Sequence, residues 1–129
     1  RLTLRVLSKY LPRRMKTDQV LLALAALAHE HRLGVYRMLV KSGPEGLPAG
    51  VIARRLKLPS SSLTFHLQNL KRAGLITQQR ASRQLIYSVD FAGMNGLVAY
   101  LTENCCADSA ADCGVLCTPA KAGRKRKAA

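Results

Sequence analysis

The chain has 129 residues and a formal charge of +14, with 48% apolar and 22% charged residues. That suffices for one domain with a single modest core, and no apolar run reaches the roughly eighteen residues of a membrane helix. The N-terminus, Arg1-Leu2-Thr3-Leu4-Arg5, lacks the long apolar segment and cleavage site of a secretory signal, so a cytoplasmic protein with no membrane partner is expected.

Of 21 basic residues, six fall within residues 1–18 and five within 121–129, leaving residues 19–120 a net charge of +4. Basic ends add sequence-independent affinity for nucleic acid or simply keep a chain soluble, so charge alone points only weakly to DNA. Residues 1–17 read as a basic extension, dispensable if a start at Met15 leaves a complete domain. Thr17 or Asp18 can cap a first helix running to about Ala28. That helix is apolar nearly all round, which in a small domain points to a dimer interface.

A second helix spans roughly His31 to Lys41 and is broken by Gly43-Pro44-Glu45-Gly46. Pro48 suits the first turn of a third helix ending at Leu56, and Lys57-Leu58-Pro59 makes a tight turn. Ser60 or Ser61 can cap a fourth helix that aligns Leu63, Leu67 and Leu70 on one face, with Gly74 as its stop. The period then changes to two. Residues 76–81 and the set Leu85, Tyr87 and Val89 alternate as two strands, joined around Ala81-Ser82 with Arg80 and Arg83 near the tip. Asp90 can cap a last helix carrying Phe91, Met94, Leu97, Val98 and Leu101.

The expected fold is mainly α with a small β-hairpin: a dimeric winged helix-turn-helix over residues 18–104. Its second short helix enters the major groove and its wing reaches the adjacent backbone or minor groove. Small hydroxyl residues at a helix start allow close approach to phosphates and base edges. Ser60, Ser61, Thr64 and Gln68 are the candidate DNA contacts, with Arg83 on the wing. The competing reading leaves the serines as caps, Gln68 as a solvated side chain and Arg83 as a hairpin charge. His66 reads as a packing or hydrogen-bonding residue rather than a metal ligand.

Residues 105–129 read as a flexible basic tail, and they hold all four cysteines: Cys105, Cys106, Cys113 and Cys117. In a reducing compartment, clustered thiols more often bind soft metals or do redox work. Adjacent cysteines resist pairing with each other, because the small ring distorts the peptide. Both can turn toward one large soft ion. Trivalent arsenic takes three thiolates, which Cys105, Cys106 and Cys113 would supply, with Cys117 as the alternative third. Returning a tail thiol to the pair costs little loop entropy. A four-thiol zinc site fits the adjacent pair poorly, whereas a disulfide switch would use the same residues.

The segment Thr64-Phe65-His66-Leu67-Gln68-Asn69-Leu70-Lys71-Arg72-Ala73-Gly74-Leu75 resembles the recognition motif of the ArsR/SmtB family, S-x-H-L-x-x-L-x-x-A-G-L. Thr64 stands for the usual serine, and Phe65 occupies a place often polar in that family. The run Leu27-Ala28-His29-Glu30-His31-Arg32-Leu33 resembles the family's L-A-x-x-x-R-L. The resemblance covers about residues 18–106 and implies a homodimer built by the first and last helices. Leu101-Thr102-Glu103-Asn104-Cys105-Cys106 is similar to the arsenite-responsive members, in which a downstream cysteine completes the site. No cysteine lies within residues 54–72 and no histidine follows His66, so the cadmium-type and zinc-type patterns are missing.

The resemblance therefore implies a repressor of operator DNA that needs no cofactor and is induced by arsenite, with antimonite or methylarsenite as alternative inducers. Two other readings stay open: a thiol redox-responsive DNA-binding regulator, and an arsenic-binding buffer or chaperone that binds no DNA. An enzyme is not expected, because the chain has no phosphate loop, dinucleotide fingerprint or nucleophile–base spacing.

Overall fold

The computed structural model describes residues 8–103. Among these, residues 8–10 are helical, and five helices and three strands follow them in the order α1 (Thr17–Leu27), α2 (Glu30–Ser42), β1 (Leu47–Pro48), α3 (Ala49–Leu56), α4 (Ser60–Arg72), β2 (Ile76–Ala81), β3 (Gln84–Val89) and α5 (Phe91–Leu101). A short 3-10 turn, Gly43–Glu45, ends α2.

The helices and the hairpin stand where periodicity predicts them, but two of the expected caps differ. Lys16, not Thr17 or Asp18, precedes α1, and its N–H donates to the Gln19 side chain at 3.1 Å. Thr17 is the first helical residue. Its hydroxyl lies 2.8 Å from the Tyr100 hydroxyl and ties α1 to α5. Pro59, already extended at φ −59° and ψ 146°, serves as the boundary residue of α4. Ser60 and Ser61 therefore sit inside the first turn, one and two positions too late to cap it. Asp90 caps α5 as expected, accepting from Gly93 N–H at 3.2 Å.

The sheet has a third strand that the sequence does not announce. Leu47 and Pro48 pair antiparallel with Tyr87 and Ile86, giving the order β1-β3-β2. The β2–β3 hairpin runs in register from Ile76–Val89 to Ala81–Gln84, closed by Ser82 at φ 59° and Arg83.

The core gathers Val20, Ala23, Val35, Leu39, Ile52, Leu63, Leu67, Leu70 and Leu75 against Tyr87, Val89 and Leu97. Helix α4 packs on α1, α2 and α3, so its exposed face is fixed by all three. Its end is held by a Schellman turn. Leu75 N–H donates to Leu70 C=O at 3.1 Å and Gly74 N–H to Lys71 C=O at 3.0 Å, with Gly74 at φ 77°.

Residues 10–13, expected within an extension outside the domain, lie along α5. Arg13 N–H donates to Ala92 C=O at 3.0 Å, Asn95 Nδ2 donates to Tyr10 C=O at 2.6 Å, and Arg13 pairs with Asp90. The Tyr10 and Phe91 rings sit 5.3 Å apart. A side chain at Gly96 would run into the Arg13 carbonyl, so the close approach requires glycine there.

Candidate nucleic-acid interface

Helix α3, the turn at residues 57–59 and helix α4 form the helix-turn-helix, and the β2–β3 hairpin forms the wing. Helix α4 turns Leu63, His66, Leu67 and Leu70 inward. Ser60, Ser61, Thr64, Phe65 and Gln68 are exposed on the remaining face, so the structure brings four of the five candidate contacts together on one helix. Arg83, the fifth, is exposed at the wing tip.

Local hydrogen bonds decide what these side chains can offer. Thr64 Oγ1 donates to Ser60 C=O at 2.8 Å, which occupies its only proton. Asn69 Nδ2 donates to Phe65 C=O at 3.0 Å. No side chain caps the α4 N-terminus, where the first-turn amides carry the positive end of the helix dipole. An anion placed there is stabilised.

The charge of this region exceeds the net +4 of residues 19–120 as a whole. Between Ala49 and Val89 there are seven basic residues and no acidic one: Arg54, Arg55, Lys57, Lys71, Arg72, Arg80 and Arg83. All seven are exposed, and among the described residues the sole ion pair is Arg13–Asp90, so none is neutralised by a carboxylate. Six of these seven were missed as candidate contacts. A sliding charge count, in place of one net figure, is the signal that finds them. Lys71 Nζ also donates to Gln78 Oε1 at 2.9 Å and braces the recognition helix on the wing.

His66 is 8% exposed and packs against the start of α2. Its ring centroid lies 4.7 Å from that of His29 and 5.7 Å from that of His31, which brings the chain's three histidines together. His29 caps α2, its Nδ1 accepting from His31 N–H at 3.2 Å. His66 Nδ1 has no partner among the described residues. Burial first, then the nearby His29, Arg32 and His31, hold the His66 imidazole below its ordinary value. Among the described residues no group of three His, Cys, Asp or Glu side chains is arranged to hold a metal ion.

A second exposed surface lies on the outer helices. Leu21, Leu22 and Leu24 on α1 and Val98 and Leu101 on α5 are all exposed, the largest fractions being 59% at Leu21 and 57% at Leu101. Cys105, Cys106, Cys113 and Cys117 lie outside the described residues. Among the described residues no helix is long and apolar enough to cross a membrane.

A recognition helix with an exposed polar face, an unneutralised basic surround and a β-wing defines a winged helix-turn-helix DNA-binding protein. Comparison with known proteins agrees and narrows the class. A helix-turn-helix domain model matches residues 27–79. The HTH-type transcriptional regulator YgaV of Escherichia coli is 33% identical over 89 residues, covering 69% of this chain and 88% of that protein. The transcriptional activator HlyU of Vibrio cholerae is 29% identical over 83 residues, covering 64% of this chain and 74% of HlyU. Its reduced form, a solved structure, superposes with a TM-score of 0.53 at 28% identity, over 66% of this chain and 90% of that one. A homodimeric winged helix-turn-helix domain of Mycobacterium bovis Mb0332, described as a possible ArsR-family regulator, gives a TM-score of 0.54 at 26% identity, over 70% and 80% of the two chains. The chain belongs to the ArsR/SmtB family of winged helix-turn-helix transcriptional regulators.

Proposed function

We propose that this regulator is a homodimeric repressor that leaves its operator when trivalent arsenic is bound by Cys105, Cys106 and Cys113, with Cys117 as the alternative third ligand. The observation that carries the reading is the position of the thiols. In the sequence they begin four residues after Leu101, the last residue of a helix that exposes Val98 and Leu101 and touches α1 through the Thr17–Tyr100 contact. A dimer seated on these outer helices must place its two recognition helices about 34 Å apart, or a multiple of that, to meet successive major grooves. Thiolate coordination at the end of α5 would strain that spacing. A preference of about 1–3 kcal/mol for the misaligned state weakens DNA binding roughly 5- to 150-fold.

The test is operator release by arsenite, antimonite and methylarsenite, measured on reduced wild-type protein and on single Cys→Ser variants. Cys105→Ser and Cys106→Ser should each abolish release by arsenite. If Cys113→Ser and Cys117→Ser both respond like wild type, the three-thiol site is wrong. If arsenite leaves operator affinity unchanged, the arsenic reading is wrong.

A thiol redox regulator is the second reading, favoured by the relative HlyU, whose structure is described as that of the reduced protein. Peroxide would then release DNA without any metal, and a disulfide joining the pair to the tail would appear by mass spectrometry. A thiol buffer without DNA binding fits family membership less well.

A further inference from the structure

We propose that Phe65 determines operator specificity by packing against the 5-methyl group of a thymine in the major groove. The inference rests on the reading of α4 as the DNA-reading helix and names what that helix reads.

Phe65 is 64% exposed, the highest value among the large hydrophobic residues on the surface of the described chain. The exposed leucines of α1 and α5 form apolar faces, whereas Phe65 stands among hydroxyl and amide side chains. Ser61 precedes it by four residues and Gln68 follows by three, so both flank it on the helix surface. This is the N-terminal half of α4, the part of a recognition helix that reaches base edges. Seven unneutralised basic residues on α3, the turn, α4 and the wing supply the attraction to phosphate.

Two of the neighbouring polar groups are engaged with the helix itself, Thr64 with Ser60 C=O and Asn69 with Phe65 C=O. What this face has left to offer is the Gln68 amide, the serine hydroxyls and one apolar ring. The major groove presents one kind of apolar group, the thymine methyl, and phenylalanine is among the side chains that contact it. Against any other base edge the ring would displace water from a donor or acceptor and return no hydrogen bond. The ring therefore both favours thymine and rejects the alternatives.

The test uses the reduced full chain and a duplex selected with it from a randomised pool. Each thymine of that duplex is replaced singly by deoxyuridine, which removes only the methyl group. At one thymine in each half-site the wild type should lose about fourfold in affinity, the value of one buried methyl. Phe65→Ala should bind the thymine and uracil duplexes equally, and Phe65→Leu should retain part of the discrimination. Binding of Phe65→Ala to an unrelated duplex at low salt should match wild type, and circular dichroism of the exposed-site variant should be unchanged. Indifference of the wild type to every uracil, or persistent discrimination by Phe65→Ala, overturns the proposal. A change of oligomeric state in Phe65→Ala together with uracil indifference also overturns it and assigns the ring to a protein contact. Absence of binding to any duplex overturns the DNA-reading assignment along with it.

Discussion

The outer helices and the reading head present surfaces of opposite kind. Helices α1 and α5 contain no basic residue and expose leucines, whereas residues 49–89 contain seven basic residues, no acidic one and a mostly polar exposed helix face. Exposed apolar surface is relieved only by covering it with more apolar surface. Unneutralised cations are relieved by phosphate, with release of the counterions that phosphate holds. Among the described residues, one small chain thus sets its exposed α1 leucines and its run of unneutralised cations on different elements.

The largest expected effect breaks the assembly side alone. Leu22→Glu places a charge on the exposed α1 face and should leave the fold intact, because Leu22 lies outside the buried core. We expect a monomer by analytical ultracentrifugation and a loss of operator affinity of roughly 100-fold or more, the avidity of a second linked head. The salt dependence per head should not change. A variant that stays dimeric would move the interface away from α1.

The next effect tests how firmly the outer helices are anchored to the head. Asp90 caps α5, receives the Arg13 side chain and donates its own N–H to Leu75 C=O at 2.9 Å. Asp90→Ala should cost about 1–2 kcal/mol in urea unfolding, most of it from removal of the cap. Arg13→Ala should cost less, since its ion pair is half-exposed and screened.

These anchors also mark where sequence reading stops. The helices and the hairpin were legible because each keeps one apolar period, as Leu63, Leu67 and Leu70 do on α4. β1 was not, because two residues cannot display an alternation and one of them is proline. The caps of α1 and α4 fall one or two residues earlier than expected, since Lys16 is closed through Gln19 and Pro59 enters its helix already extended. The passage of residues 10–13 along α5 has no apolar repeat of its own. The candidate contacts on α4 were readable as residues, but Phe65 acquired its meaning only when it proved to be exposed among them. His66 lies 35 residues beyond His31, and only the packing of α4 on the start of α2 brings it to His29 and His31.

That histidine cluster gives the comparison a pH dependence, because it lies where the recognition helix meets the rest of the domain. The folded state holds the His66 value below the ordinary 6.5, chiefly by burial. The unfolded chain therefore takes up the proton first, and stability falls as pH drops below about 6.5. Above that pH the contribution is complete. Urea midpoints measured at pH 8 and pH 5.5 should fall with acidity, and less steeply in His66→Asn. A midpoint that rises toward pH 5.5 contradicts the assignment.

The smallest expected effect bears on whether the head's charges are kept for binding at a cost in stability. Lys57 ends α3 in the left-handed region at φ 54°, with Leu58 N–H donating to Ala53 C=O at 3.1 Å in a Schellman turn. Glycine is the residue that fits such a position without strain. Lysine there costs on the order of 1 kcal/mol. The side chain is exposed and makes no ion pair among the described residues, so nothing in the folded domain compensates that cost. Its position just ahead of the recognition helix places it beside the DNA backbone in the proposed complex. Lys57→Gly should therefore raise the unfolding free energy by about 0.5–1 kcal/mol while removing one phosphate-binding cation per head. In a dimer the slope of log affinity against log salt should become shallower by about two, because each neutralised phosphate accounts for nearly one. If stability rises and the slope is unchanged, Lys57 belongs to the turn and not to the DNA-binding surface.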